Sequence, residues 1–259
     1  MWGVSFYSGL SLLVSVLIQK YEKEKSVMAE VTIIIPTLNE EENVDFLLER
    51  VFEVKDAAGL DFKVLFVDSA SIDRTCDCVE KWQNKRPVTL LRRDVNVGLA
   101  PAVIAAAHQV DTAYVLVMDA DLSHPPEKIP SMLAPLLCGQ CDMVIGSRYV
   151  KGGAVPDWPL SRKLSSKLAT LPALCFCSAK DPLAGFFAVK TRFITGLHTD
   201  IPGFKIGFAV LAEYHKSIRI QEIPITFRDR DHGQSKMTRG IVYDYLRQLG
   251  SLAKGRMGL

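Results

Sequence analysis

The 259-residue chain has no Gly-x-Gly-x-x-Gly turn after its first apolar run; it reads Pro36-Thr37-Leu38-Asn39-Glu40 instead. A glycine-rich turn would hold a pyrophosphate on backbone N–H groups and a helix N-terminus. Without it, and with further acids following, a phosphate brought there unaided is repelled, so the ligand is not a phosphate or a cation mediates. Basic residues, 31 against 29 acids, form no block interleaved with aromatics, which excludes a nucleic-acid partner. The six cysteines fall in close pairs, Cys76/Cys78, Cys138/Cys141 and Cys175/Cys177. The Cys138-x-x-Cys141 pair lacks the second pair of comparable spacing that a structural zinc site wants, so the thiols read as free and reduced, as in the cytosol. Long apolar runs are scarce. Residues 2–18 are uncharged but lie at the short limit for a membrane span, and they lack the basic flank and cleavage site of a signal peptide. As a span, followed by Lys20, Lys23 and Lys25, they would leave the next domain at the cytoplasmic face of the membrane; alternatively, Met28 is the true start.

What is present is a regular alternation. VTIII (31–35), KVLFV (63–67), VTLL (88–91), AYVLVM (113–118) and DMVIG (142–146) are apolar, β-rich runs. Between them lie segments of helical periodicity: 40–54, 73–82, 98–109 with Pro101 in its first turn, and 126–137. Continuously apolar strands alternating with helices predict an α/β fold, a mostly parallel sheet covered on both faces. Beyond residue 150 the pattern loosens into a smaller C-terminal section, with strands at GFFAV (185–189) and RIQEIPITF (219–227) and apolar or amphipathic stretches near 161–176 and 206–216. The chain divides into an apolar N-terminal extension (1–27), a main domain (28–237) and an amphipathic tail (238–259).

Ligands of such sheets bind beyond the carboxyl ends of the strands. There the sequence places Pro36 to Glu40, Asp68-Ser-Ala-Ser, Asp119-Ala120-Asp121 and Gly146-Ser-Arg148-Tyr. Along an extended segment Asp119 and Asp121 point the same way, and two like charges so placed call for a neutralising ion. Mg2+ or Mn2+ suits them, since such hard cations take one or two carboxylates and complete their shell with water and substrate phosphates.

Taken in order, IIIPTLNEEENV, VDSASIDRT, NVGLA, VMDADLSHPPE, VIGSRYVKGGAVPDWPLSR, DPLAGF and EIPITFRDRDHGQSKM resemble glycosyltransferase family 2, and within it the dolichol- and polyprenol-phosphate mannosyl- and glucosyltransferases. The resemblance covers about residues 30–240 and implies a GT-A fold. It implies that Pro36, Thr37, Leu38, Asn39, Glu40, Asp68, Gly98 and Ala120 line the nucleotide-sugar site. Asp119 and Asp121 would hold the metal against the donor diphosphate. Arg148, Arg162, Arg230, Lys236 and Ser166 would serve the acceptor phosphate. The chain departs from the pattern at three positions: Ser69 replaces the second acid of an Asp-Asp pair, Ser123 a glutamine that ligates metal in some relatives, and Ala100 a glycine.

The resemblance implies inverting, metal-dependent transfer of a hexose, mannose from GDP-mannose first and glucose from UDP-glucose second, to a dolichyl or polyprenyl phosphate. The alternatives are transfer to a hydroxyl of a glycan or glycolipid, in which Asp181 would act as a base, and nucleotide-sugar binding without turnover. His124 is expected to cap the turn before Pro125-Pro126 and Trp158 to pack. A lipid acceptor implies a membrane surface as partner, and relatives often carry C-terminal transmembrane helices or a membrane-embedded partner subunit. Val242, Leu246, Leu249 and Leu252, flanked by Arg247, Lys254 and Arg256, recur at helical spacing; they predict an interfacial helix or a core-packing one.

Overall fold

The computed structural model describes residues 31–96, 98–197, 205–228 and 245–252. The expected strands form: β1 (Val31–Thr37), β2 (Phe62–Ser69), β3 (Val88–Arg93), β4 (Tyr114–Val117), β5 (Met143–Ser147), β6 (Phe187–Lys190) and β7 (Ile220–Pro224). They join in one sheet of order β3-β2-β1-β4-β6-β5-β7. Neighbours are parallel except β6, which runs antiparallel between β4 and β5.

The apolar runs reflect two-sided burial. Along β1, Ile33 and Ile35 enter one core while Ile34 enters the other; along β2, Val64 and Phe66 alternate with Leu65 and Val67. Helices α1 (Val44–Ala58) and α4 (Ile129–Leu137) close the first face through Leu47, Val51, Met132 and Leu136; α2 (Thr75–Gln83) adds Val79 there. Helices α3 (Leu99–Ala107), α6 (Thr191–Thr195) and α7 (Ile206–Glu213) close the second through Val103, Ile194 and Val210. Each such buried aliphatic side chain stabilises the fold by about 1.5–3 kcal/mol relative to exposure.

Helix α5 (Leu160–Leu174) stands apart, burying only Thr170 and Ala173 of its residues. Ala173 packs with Leu183, Phe208 and Ala212, and Tyr245, Leu249 and Leu252 of the helical segment 245–252 lie against this small cluster. Leu249 and Leu252 thus serve packing, whereas Leu246 is exposed; Val242, Lys254 and Arg256 lie outside the described residues. So does the N-terminal extension 1–27. Among the described residues no helix is long and apolar enough to cross a membrane.

Candidate active site

Strands β1, β2, β4 and β5 all point their carboxyl ends the same way, and Thr37 pairs in register with Asp68. The loops after β1 and β2 are laced together. Ser71 Oγ accepts from Asn39 N–H at 2.8 Å, Asn39 Oδ1 from Ile72 N–H at 2.9 Å, and Thr75 Oγ1 from Glu40 N–H at 2.8 Å. Glu41 Oε2 accepts from Arg74 N–H at 2.9 Å. Buried Asp68 anchors this lacing, accepting from the Ser71 N–H at 2.9 Å, from the Ser71 hydroxyl, and from Thr37 Oγ1 at 3.4 Å. Of the expected nucleotide-site residues, Pro36 to Glu40 and Asp68 therefore form one rigid wall, while Gly98, at φ +96, heads α3 and is exposed. The nearby Cys76 thiol is pushed up to about 11 by burial and then by the Asp68 charge, so it stays protonated. All six cysteines are free.

Among the described residues three non-glycine residues adopt positive φ: Asn39 at 56°, Ala70 at 63° and Leu122 at 61°. They follow β1, β2 and β4 on the same edge of the sheet. Left-handed backbone at a bulky residue costs of order 1–3 kcal/mol and persists where the surroundings over-determine it, often at functional sites.

At the end of β4 the chain does not stay extended through 119–122 as the alternation argument assumed; it bends from Ala120 onward. Leu122 in the left-handed region lets Asp121 Oδ1 accept from the Ser123 N–H at 3.1 Å. Asp121 is buried and Asp119 is part-exposed. His124, fully enclosed, accepts the Asp119 N–H on Nδ1 at 2.9 Å and stacks on Phe186 at 5.1 Å. It does cap the turn. Burial depresses its pKa against the opposing charges of Asp119 and Asp121; the neutral ring therefore carries its proton on Nε2, 3.9 Å from Asp119 Oδ2. Gly185 backs this arrangement: a Cβ there would meet His124 Cε1 at 3.2 Å and Asp119 Oδ2 at 3.7 Å.

The donor set around Asp119 and Asp121 suits a hard divalent ion. Among the described residues no group of three His, Cys, Asp or Glu side chains gathers, so protein ligation rests on the two aspartates. Ser123 Oγ is buried beside Asp121 with no hydrogen-bond partner among the described residues. Two carboxylates and an unpartnered hydroxyl fit an ion that takes its remaining ligands from water and phosphate.

The acceptor-side residues gather after β5. Arg148 grips Asp181 bidentately, Nε to Oδ2 at 2.8 Å and Nη2 to Oδ1 at 2.7 Å, and its own N–H adds a third bond to Oδ2 at 2.9 Å. Asp181 is wholly buried. Glu222 fixes the loop beneath by accepting the N–H groups of Lys180 and Asp181. The Arg148 and Arg162 guanidiniums lie 5.5 and 4.2 Å from the Trp158 ring centre, and Tyr149 Oη shares a hydrogen bond with Ser166 Oγ at 2.8 Å. Trp158 thus packs between cationic groups, and Arg148, Arg162 and Ser166 form one cluster. Arg230 and Lys236 lie outside the described residues.

One cation escaped the sequence reading. Lys205, just before α7, is depressed by burial and then by the Arg148 charge, while Asp119 and Asp181 oppose the shift. It therefore shares the field of both carboxylates and Arg148. Its sequence signal was only a lysine preceding an apolar helix.

The profile described as "Glycosyl transferase family 2" matches residues 32–212. The chain belongs to glycosyltransferase family 2. A dolichol-phosphate mannosyltransferase of Pyrococcus furiosus is 39% identical over 231 residues, 87% of this chain, and this chain spans only 64% of that protein's length. The Saccharomyces cerevisiae dolichol-phosphate mannosyltransferase is 30% identical, covering 88% of this chain and 89% of its own. An undecaprenyl-phosphate mannosyltransferase of Micrococcus luteus is 38% identical, covering 81% and 88%. Among solved structures, mannosyl-3-phosphoglycerate synthase of Rubrobacter xylanophilus superposes with a TM-score of 0.67 at 16% identity, covering 92% of this chain and 78% of that one. Glucosyl-3-phosphoglycerate synthase of Mycobacterium tuberculosis, solved with Mn2+ and UDP-glucose, gives 0.65 at 19% identity, covering 93% and 83%. The sheet and helices are thus those of the GT-A glycosyltransferases, and this family 2 chain is a glycosyltransferase enzyme.

Proposed function

We propose that the enzyme transfers mannose from GDP-mannose to a polyprenyl or dolichyl phosphate with inversion, using Mg2+ or Mn2+. The mannosyltransferase relatives support the sugar and the lipid class. The observation that carries the acceptor chemistry is the Arg148–Asp181 pair. A hydroxyl acceptor needs a carboxylate base, and both oxygens of Asp181 are engaged by Arg148. A phosphate monoester has a second pKa near about 6 and attacks already ionised, so it needs no base. What it needs is cationic placement beside a second anion, the donor diphosphate. Arg162, with Arg148, Lys205 and the Ser166 hydroxyl nearby, supplies that.

In this reading the laced loops 37–41 and 68–72 hold the nucleoside. Asp119 and Asp121, with Ser123, hold the cation, which when bound offsets charge growing on the leaving diphosphate. A phosphate oxygen of the acceptor forms the new bond to the anomeric carbon as the bond to the diphosphate breaks. His124 keeps the Asp119 main chain in place, and the buried Arg148–Asp181 pair fixes the acceptor loop against β5. Two acceptors offered side by side test this: labelled GDP-mannose with a polyprenyl phosphate and with the corresponding polyprenol. Label should enter the phosphate alone; transfer to the alcohol would point to the hydroxyl reading.

A further inference from the structure

Arg93, the last residue of β3, carries an unmet donor. Among the described residues its Nη1 is buried without a hydrogen-bond partner, whereas the preceding Arg92 bonds Glu80 through Nη2 at 2.6 Å. A guanidinium stays charged and has five N–H donors and no acceptor, so a buried one calls for a partner. Its place is informative. Arg93 pairs in register with Ser69 at the carboxyl end of β2, beside the wall made by loops 37–41 and 68–72. Alternation puts both side chains on the second face, where Leu65 and Val67 of β2 and Leu91 of β3 pack. An acid at position 69 would face Arg93 across a strand spacing of about 5 Å and pair with it; Ser69 cannot. Helix α3, which closes that face, has no acid in its first turn. The neighbouring polar groups are already committed to one another: Asp68 accepts from Ser71 and Thr37, and the Asn39, Glu40 and Glu41 N–H groups donate to Ser71, Thr75 and Asp73. Arg93 is left to a ligand.

We propose that Arg93 reads the base of the nucleotide-sugar donor, its guanidinium donating to O6 and N7 of guanine. The proposal rests on the GDP-mannose reading and names the residue that enforces it. Guanine offers two neighbouring acceptors, O6 and N7, which match the fork of a guanidinium; arginine reads guanine in nucleic acids by the same pairing. Adenine puts an amino donor where guanine has O6. In uracil the two carbonyl oxygens flank an N–H donor, so the fork meets at most one of them. A fork of donors on the second face, next to the wall that holds the nucleoside, therefore selects guanine. Arg93 acts on the choice of donor and not on the bond that breaks, so its loss is felt in donor binding before turnover.

The test is titration calorimetry of the full chain with Mg2+ and three diphosphates: GDP, UDP and 7-deaza-GDP, in which a C–H replaces N7. The wild type should bind GDP at least about tenfold more tightly than 7-deaza-GDP, the loss of one charge-assisted hydrogen bond. Arg93→Met should bind GDP about as weakly as the wild type binds the 7-deaza analogue, cease to distinguish the two, and keep its affinity for UDP. Arg93→Lys, which retains the charge but not the fork, should behave like Arg93→Met. In transfer assays Arg93→Met should raise KM for GDP-mannose more than it lowers kcat, with the melting temperature unchanged because the donor removed is unpartnered. Undiminished discrimination against 7-deaza-GDP in Arg93→Met overturns the proposal. So does full recovery in Arg93→Lys, or a wild type that prefers GDP to UDP yet binds GDP and 7-deaza-GDP alike. A wild type that binds UDP more tightly than GDP contradicts the GDP-mannose reading itself, and the assignment of Arg93 falls with it.

Discussion

Replacing Asp181 with asparagine separates the two roles this carboxylate could play. Its side chain is wholly buried and receives three hydrogen bonds from Arg148, whose own side chain is 11% exposed. Asparagine keeps the shape but leaves a guanidinium without its counter-charge, and breaking one partner of a buried pair costs about 3–5 kcal/mol. For a domain of this size that lowers the melting temperature by roughly 10 °C. Transfer should fall as well, by roughly a hundredfold, through misplacement of the acceptor loop. The double variant Arg148→Met/Asp181→Leu, which removes both charges, should regain most of the stability while transfer stays low, because the cationic cluster is then incomplete. Thermal melts and kinetics with a polyprenyl phosphate read both quantities. If Asp181→Asn melted like the wild type and lost only turnover, Asp181 would be a base and the account of the pair would be wrong.

Other expectations follow from single contacts. A Cβ on Gly153 would sit 2.6 Å from the Ser147 carbonyl oxygen and 2.7 Å from that of Arg148; Gly153→Ala should therefore cost about 1–3 kcal/mol in urea unfolding and slow transfer by shifting Arg148. Asp142 is held well below the ordinary carboxylate range by its Arg219 hydrogen bond, burial opposing and Lys190 assisting. Its stabilisation is present above its unfolded pKa near about 4 and lost as pH falls through the native value. Asp142→Asn should thus be about 2 kcal/mol less stable at neutral pH, with the gap closing in acid, as urea titrations at two pH values would read. Chelation should abolish transfer, with Mg2+ or Mn2+ restoring it. Ser123→Ala should leave metal-free stability nearly unchanged, since its hydroxyl has no hydrogen-bond partner among the described residues, yet raise the metal concentration for half-activity several-fold. An unchanged metal requirement would remove Ser123 from the cation site.

Much of the fold was legible because two-sided burial writes itself as unbroken apolar runs; 31–35, 63–67 and 142–146 all became central strands. The placement of β6 was not. Phe187 and Val189 look the same in sequence whether their strand runs parallel at an edge or antiparallel between β4 and β5. At the candidate site, the strand-end motifs named Asp119, Asp121 and Arg148, and the family resemblance added Arg162 and Ser166, but the local conformation at Leu122 was invisible, since nothing in a leucine announces positive φ. Lys205 was missed because tertiary proximity to Arg148 and Asp119 leaves no spacing signal. The apolar periodicity of 161–176 was plain, yet periodicity cannot tell a face turned to a core from one turned outward. The tail was accordingly left open between an interfacial and a core-packing helix; its Leu249 and Leu252 pack inward, while an exposed leucine line lies on α5.

The most direct measurement incubates the enzyme with polyprenyl phosphate, Mg2+ and a panel of labelled GDP- and UDP-sugars, and asks which label enters the organic-extractable fraction. The account predicts label from GDP-mannose, released by mild acid as a sugar–phosphate–lipid should be, and none in Asp121→Ala. Label from UDP-glucose alone would overturn the choice of donor. Label appearing only on a water-soluble acceptor such as phosphoglycerate would contradict the lipid-phosphate mechanism itself.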